Sequence, residues 1–174
     1  MNQMLNTQAL IAGLLTGSLL FGLAGCAGST PRGNDTAAGV PSSLGSSRSL
    51  TDLDGASHEI LDGKSTTVLV FWATWCVPCR RELPDLAVAH AAHGESAQFF
   101  GVLAGEAKHV DEQAARKLLS KAGVRYPQRR DFDVSLAQTF GVKGTPTVIV
   151  LGPDGQTRYH GHSLPESWAG LLDK

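Results

Sequence analysis

The sequence predicts an α/β domain in which a mixed central sheet is flanked by helices. Three observations lead there. Thr66 to Trp72 is β-branched and apolar without a break, the pattern of a strand covered on both faces. Gln98 to Ala104 is a second such run, with a helical stretch between the two. Thr147 to Leu151 is a third, and the Pro153-Asp154-Gly155 turn after it sends Gln156 to Gly161 back antiparallel.

The remaining elements follow in order. Leu53 to Ile60 reads as a small hairpin turning at Asp54-Gly55. A helix runs from about Cys76 to His93, interrupted by Pro84. Asp111 to Ala122 is a helix with Ala114, Ala115, Leu118 and Leu119 toward the sheet, ended by Gly123. Asp133 to Phe140 is a short helix stopped by Gly141, and Pro165 to Leu172 is a last one. No internal repeat interrupts this single domain.

Composition narrows the function. The chain has 174 residues, with 15 Lys and Arg against 16 Asp and Glu, a net charge of -1 with His neutral. That balance excludes a basic nucleic-acid-binding surface and offers no electrostatic attraction to membranes. Three Cys are too few for a disulfide scaffold.

The N-terminal part reads as two non-domain segments. Residues 1–25 hold no Asp, Glu, Lys or Arg, and the apolar run Leu10 to Leu23 is shorter than the ~20 residues that span a bilayer. It reads as a signal peptide, with a buried or membrane-anchoring helix as the other reading. Leu23-Ala24-Gly25-Cys26 resembles the bacterial lipoprotein box. That resemblance implies a lipidated Cys26 at the start of the mature chain and a lipid anchor in the membrane. Residues 26–49 are rich in Gly, Ser and Pro and read as a flexible tether. Residues 50–174 are then the folded domain, with Cys76 and Cys79 as its only thiols.

Those two thiols carry the chemistry. Cys76-Val77-Pro78-Cys79 stands where a strand ends and a helix begins. The helix N-terminus points N–H groups at Cys76 and stabilises its thiolate. Cys79 follows one turn later, close enough to close a disulfide. Pro78 fits the first helical turn, where its missing N–H is harmless. Trp75 supplies an apolar shelf beside the nucleophile. A zinc half-site is the alternative, but His90 and His93 miss the usual ligand spacing. An inert structural disulfide is another, although so short a loop constrains the unfolded chain little. His58, His109, His160 and His162 form no ligand pattern, so no metal is expected. Glu82 reads as facing solvent or pairing with Arg80 or Arg81. Gly144-Thr145-Pro146-Thr147 precedes a strand, where proline is tolerated.

Trp72-Ala73-Thr74-Trp75-Cys76-Val77-Pro78-Cys79-Arg80 with Glu82-Leu83-Pro84 resembles the thioredoxin superfamily, and within it the TlpA-like and ResA-like thiol–disulfide oxidoreductases. The resemblance implies a thioredoxin-like fold with an N-terminal hairpin extension and a helical insert containing Asp111 to Ala122. It implies that Thr145-Pro146 is a cis-proline loop facing the cysteines, with the Thr145 backbone open to an extended substrate segment. Classical thioredoxins carry a buried acid where Val70 stands here. Glu106 resembles the glutamate that ResA-like proteins place near their active site, and is expected to handle the Cys79 proton. The implied activity is thiol–disulfide exchange without an organic cofactor. Cys76 attacks a disulfide-containing or extended protein substrate, Cys79 resolves the mixed disulfide, and an upstream membrane thiol reductant restores the pair. The family favours a reductant on the extracytoplasmic face of a bacterial membrane, with apocytochrome c before haem attachment among its substrates. A thiol oxidase for protein folding and a non-catalytic peptide-binding module are the alternatives.

Overall fold

The computed structural model describes residues 49–172. The signal peptide, Cys26 and nearly all of the tether expected from the sequence lie outside that range. Seven strands and three α-helices alternate as β1 (Ser49–Thr51), β2 (Ser57–Glu59), β3 (Thr66–Trp72), α1 (Val77–His93), β4 (Ala97–Ala104), α2 (Glu112–Ala122), β5 (Gln128–Asp131), α3 (Ser135–Thr139), β6 (Thr147–Leu151) and β7 (Thr157–Gly161). A turn of 3-10 helix, Ala107–His109, follows β4. The five-stranded sheet runs β5-β4-β3-β6-β7, parallel across β5, β4 and β3 and antiparallel across β6 and β7. This is the thioredoxin-like α/β fold, with β1 and β2 as a separate hairpin.

The two-residue period of the strands sorts the core into two layers. Val68, Val70, Trp72, Phe99, Leu103, Val148 and Val150 face one side, where α1 contributes Cys79, Leu83, Leu86 and Ala89 and α2 contributes Ala115 and Leu119. Leu69, Phe71, Phe100, Val102, Ile149 and Leu151 face the other, under Leu136 and Phe140 of α3 and its end and under Ile60 and Leu61. Every residue of β3 is buried, as a central strand with helices on both faces requires.

Local chemistry sets the helix ends. Asp111 accepts from the Ala114 N–H at 2.9 Å and opens α2, and Gly123 closes it in the left-handed region at φ 75°. Asp131, at the end of β5, accepts from the N–H groups of Leu136 and Ala137 at 2.9 and 2.8 Å and so seats α3.

Several expectations need correction. The hairpin starts earlier than expected, pairing Ser49 with Glu59, so Ser49 is strand and not tether. Asp52 organises its turn, accepting from Asp54 and Ala56 N–H groups and bonding His58 at 2.7 Å. The helix expected over 133–140 is only Ser135–Thr139. Pro165 to Leu172 is not a helix. Gly170 sits at φ 76°, a conformation that breaks helical geometry, and Trp168 packs its ring on Phe99 and His93 instead. The edge strand β5 had no counterpart in the sequence reading.

Candidate active site

The carboxyl ends of β3, β4, β5 and β7 and the start of β6 gather at one end of the sheet. The cysteines stand there. After β3 the chain turns through Ala73, whose carbonyl accepts from the Cys76 N–H at 3.1 Å. Cys76 is the N-cap of α1, with extended backbone, and Pro78 lies in the first turn. The Cys79 N–H donates to Cys76 Sγ at 3.2 Å. Cys76 and Cys79 form a disulfide with their Cα atoms 5.3 Å apart. An N–H donor at a helix N-terminus stabilises negative charge on a sulfur it faces.

Both sulfurs belong to the core on the α1 side. Cys76 is 6% exposed and Cys79 1%. Cys76 is therefore not the open thiol that its position at the helix start suggests. In the disulfide it is merely the more accessible of a buried pair. Around it the surface is apolar: Trp75 is 53% exposed, and Val77 is exposed beside it. The Trp75 ring lies over Gly105 at the end of β4. A Cβ there would come within 2.4 Å of the indole, and the φ of +120° favours glycine as well.

The Gly144–Thr147 loop borders the cysteine turn from the opposite side. The β3–β6 ladder ends at Phe71 and Thr147, so Pro146 comes level with Trp72 and Thr145 with the start of the cysteine turn. The Thr145–Pro146 bond is cis. Pro146 is buried and Thr145 half-buried. Trp75, Cys76, Pro78, Cys79, Thr145 and Pro146 thus gather from two segments about seventy residues apart in the chain.

Glu106 behaves otherwise. Its carboxylate is 61% exposed and pairs with Lys108 Nζ at 2.6 Å. It is a solvated acid just past the end of a strand, and hydration together with a neighbouring ammonium removes the need for a second proton-sharing partner. The expectation that it manages the Cys79 proton finds no support in this geometry.

Glu82 corrects the sequence reading in the opposite sense. It does not lie free in solvent and forms no ion pair with Arg80 or Arg81 among the described residues. Its Oε2 is buried and has no hydrogen-bond partner among the described residues. Burial, with Asp85 adding like charge, pushes its carboxyl pKa above the ordinary value. Glu82 follows Cys79 by three residues on α1, which makes the two side chains neighbours on one helix flank. That spacing was the signal available in the sequence. Val70, where classical thioredoxins carry an acid, is buried apolar core.

Two further residues escaped the sequence reading. The Trp72 Nε1–H donates to Gln128 Oε1 at 2.9 Å, and the Gln128 amide donates to the Tyr126 carbonyl at 3.1 Å. Gly101 makes room for that carboxamide, since a Cβ there would lie 1.9 Å from Gln128 Oε1. His162, directly after β7, contacts the Pro146 carbonyl through Nδ1 at 3.0 Å.

Residues 46–160 match the AhpC/TSA family. The chain belongs to the AhpC/TSA family. Among its relatives, the thiol–disulfide oxidoreductase ResA of Bacillus thuringiensis is 29% identical over 128 residues, which cover 72% of each chain. A secreted Mycobacterium tuberculosis disulfide oxidoreductase homologous to Escherichia coli DsbE superposes with a TM-score of 0.57 at 26% identity, covering 69% of this chain and 85% of that one. The exposed lipoprotein thioredoxin Etrx1 of Streptococcus pneumoniae superposes with a TM-score of 0.56 at 27% identity, covering 69% and 91%. With its Cys76–Cys79 disulfide, this AhpC/TSA family member is a thiol–disulfide oxidoreductase.

Proposed function

We propose that the protein reduces protein disulfides outside the cytoplasm, with Cys76 as nucleophile and Cys79 as resolving thiol. The observation that carries this reading is the Cys79 N–H donated to Cys76 Sγ, which favours the thiolate on Cys76 alone. In the reduced protein, Cys76 Sγ attacks one sulfur of a substrate disulfide, and the other leaves as a thiolate. Cys79 then loses its proton and attacks Cys76 Sγ, releasing the second substrate thiolate. Two electrons pass to the substrate and the Cys76–Cys79 disulfide remains. An upstream membrane dithiol donor returns both electrons.

Glu82 receives the Cys79 proton in this scheme. Burial pushes its carboxyl above the ordinary value and so favours the protonated form, and its buried Oε2 has no hydrogen-bond partner among the described residues. Trp75 and Val77 offer the substrate an apolar surface beside Cys76. Thr145 lies beyond the β3–β6 ladder, so its backbone can pair with an extended substrate segment.

The location rests on the sequence. Residues 1–25 act as a lipoprotein signal peptide, Cys26 carries the lipid, residues 26–48 form the tether, and the chain from Ser49 onward is the working domain at the extracytoplasmic face. The Mycobacterium relative is described as secreted and the Streptococcus one as an exposed lipoprotein, which supports this placement. Apocytochrome c before haem attachment is a substrate of the right chemistry, since its two cysteines must be reduced to react.

Insulin reduction tests the activity: the parent should precipitate the freed B chain, while Cys76→Ser should do so no faster than the dithiothreitol background. Equal rates in the two proteins would leave a peptide-binding module with no catalytic thiol. Mass spectrometry of the protein extracted from its native membrane should find diacylglycerol on Cys26, and an unmodified chain would remove the anchor.

A further inference from the structure

We infer that His162 is a positioning residue for substrate, fixing the Gly144–Thr147 loop beside Cys76 through a hydrogen bond from its ring to the Pro146 carbonyl. This rests on the reading that an extended substrate segment pairs with Thr145.

The register brings His162 there. Gly161, the last residue of β7, pairs with Val148 of β6, so the next residue comes level with Thr147. His162 Nδ1 lies 3.0 Å from the Pro146 carbonyl oxygen and 3.4 Å from Thr147 Oγ1. The Thr147 hydroxyl has a single hydrogen and donates it to the Gly144 carbonyl at 2.7 Å. Toward His162 both oxygens can then only accept. The proton must sit on Nδ1, and the ring donates. Protonation at Nε2 leaves that donor in place, so the bond holds in the neutral and the charged ring alike.

The loop is therefore held twice. Thr147 closes it internally onto Gly144, and His162 ties it to the end of the edge strand. Pro146 has no N–H to offer, and Thr145 stands outside the β-ladder. His162 as a residue is exposed, its Nδ1 contact is part-buried, and it takes no part in the core. Its contribution lies in keeping the Thr145 backbone in place before substrate arrives. Without it, the loop must be ordered at the moment of binding, which weakens binding while leaving the sulfur chemistry untouched.

Three variants separate this from a general structural effect. Asparagine places its amide nitrogen where Nδ1 stands, glutamine reaches the position of Nε2, and alanine removes both. Each is assayed by dithiothreitol-coupled reduction of insulin, and by single-turnover reaction of the reduced protein with dithiobis(nitrobenzoate), a disulfide too small to need the loop. His162→Ala and His162→Gln should raise KM for insulin roughly 2- to 10-fold, the worth of one net hydrogen bond. Their kcat and their rate with the small disulfide should match the parent. His162→Asn should restore KM. Should His162→Ala fold poorly, the contrast between Asn and Gln still decides. Parent-like KM in all three overturns the inference and leaves the proposed function standing. Equal losses with both substrates, or rescue by glutamine instead of asparagine, also overturn it. A parent that reduces the small disulfide but not insulin overturns the proposed function and this inference together.

Discussion

The first turns of α1 and the turn after β4 each bring a carboxylate to the active-site end of the sheet, and the two acids meet opposite surroundings. Glu82 rides on a helix whose inner stripe of Cys79, Leu83 and Leu86 is buried, and one of its oxygens is carried under the surface without a partner. Glu106 follows a strand end, stands in water and binds a lysine. Chemically identical groups thus become a partly buried, unpartnered acid in one place and a surface ion pair in the other. The difference comes from desolvation: withdrawing an unpaired carboxylate from water disfavours its charged form, whereas an exposed pair is worth only about 0–1 kcal/mol.

The largest effect expected from this contrast is kinetic. Glu82→Gln should lengthen the life of the mixed disulfide by on the order of 100-fold, the low end of what a positioned proton acceptor contributes. Glu106→Gln should leave it within about twofold, as for removal of a surface ion pair. Quenched-flow trapping of the adduct with a peptide disulfide measures both. A slow Glu106→Gln beside a normal Glu82→Gln would invert the comparison.

A smaller effect tests the end of β4 itself. Gly105→Ala places a methyl group 2.4 Å from the Trp75 ring and forces φ +120° on an L residue. The substitution should cost about 1–2 kcal/mol of stability and raise KM for insulin by displacing the indole. Urea denaturation and steady-state kinetics read the two consequences. An unchanged KM in a destabilised protein would show that Trp75 does not meet the substrate.

The smallest effect concerns pH. The folded Glu82 carboxyl titrates above its ordinary value of 4.5, so the folded chain holds that proton longer than the unfolded chain does. Stability from this group is fully present below the unfolded pKa and is lost as pH rises through the higher folded one. Glu82→Gln has no such loss. Its stability relative to the parent should therefore climb across that window and stay level outside it. Denaturation midpoints from pH 3 to 9 give the sign, and a relative decline would mean that the ionised carboxylate gains a partner.

What could be read from the chain alone follows from the range of the forces involved. Strands β3, β4 and β6 announce themselves because central strands bury both faces and so become continuous apolar runs. The start of α2 and its end at Gly123 are equally local, a side chain and a backbone angle acting within one turn. The cysteine pair is legible for the same reason, since a helix N-terminus and a four-residue spacing contain the whole of that chemistry. Gln128-Arg129-Arg130-Asp131 gives no such sign. Its polar residues are accommodated one by one: Gln128 lies over Gly101 to meet Trp72, Arg129 stacks on Phe100 and donates to the Leu50 carbonyl, and Asp131 seats α3. Pro165 to Leu172 fails as a helix because Trp168 finds Phe99 and His93, partners far away in sequence. Whether Glu82 or Glu106 loses its water, and whether His162 reaches Pro146, depends on which segments the sheet lays side by side. Burial and hydrogen bonding between such segments exist only once the strands have paired, so composition and spacing determined the fold class and the thiol chemistry, and tertiary packing alone decided which residues surround it.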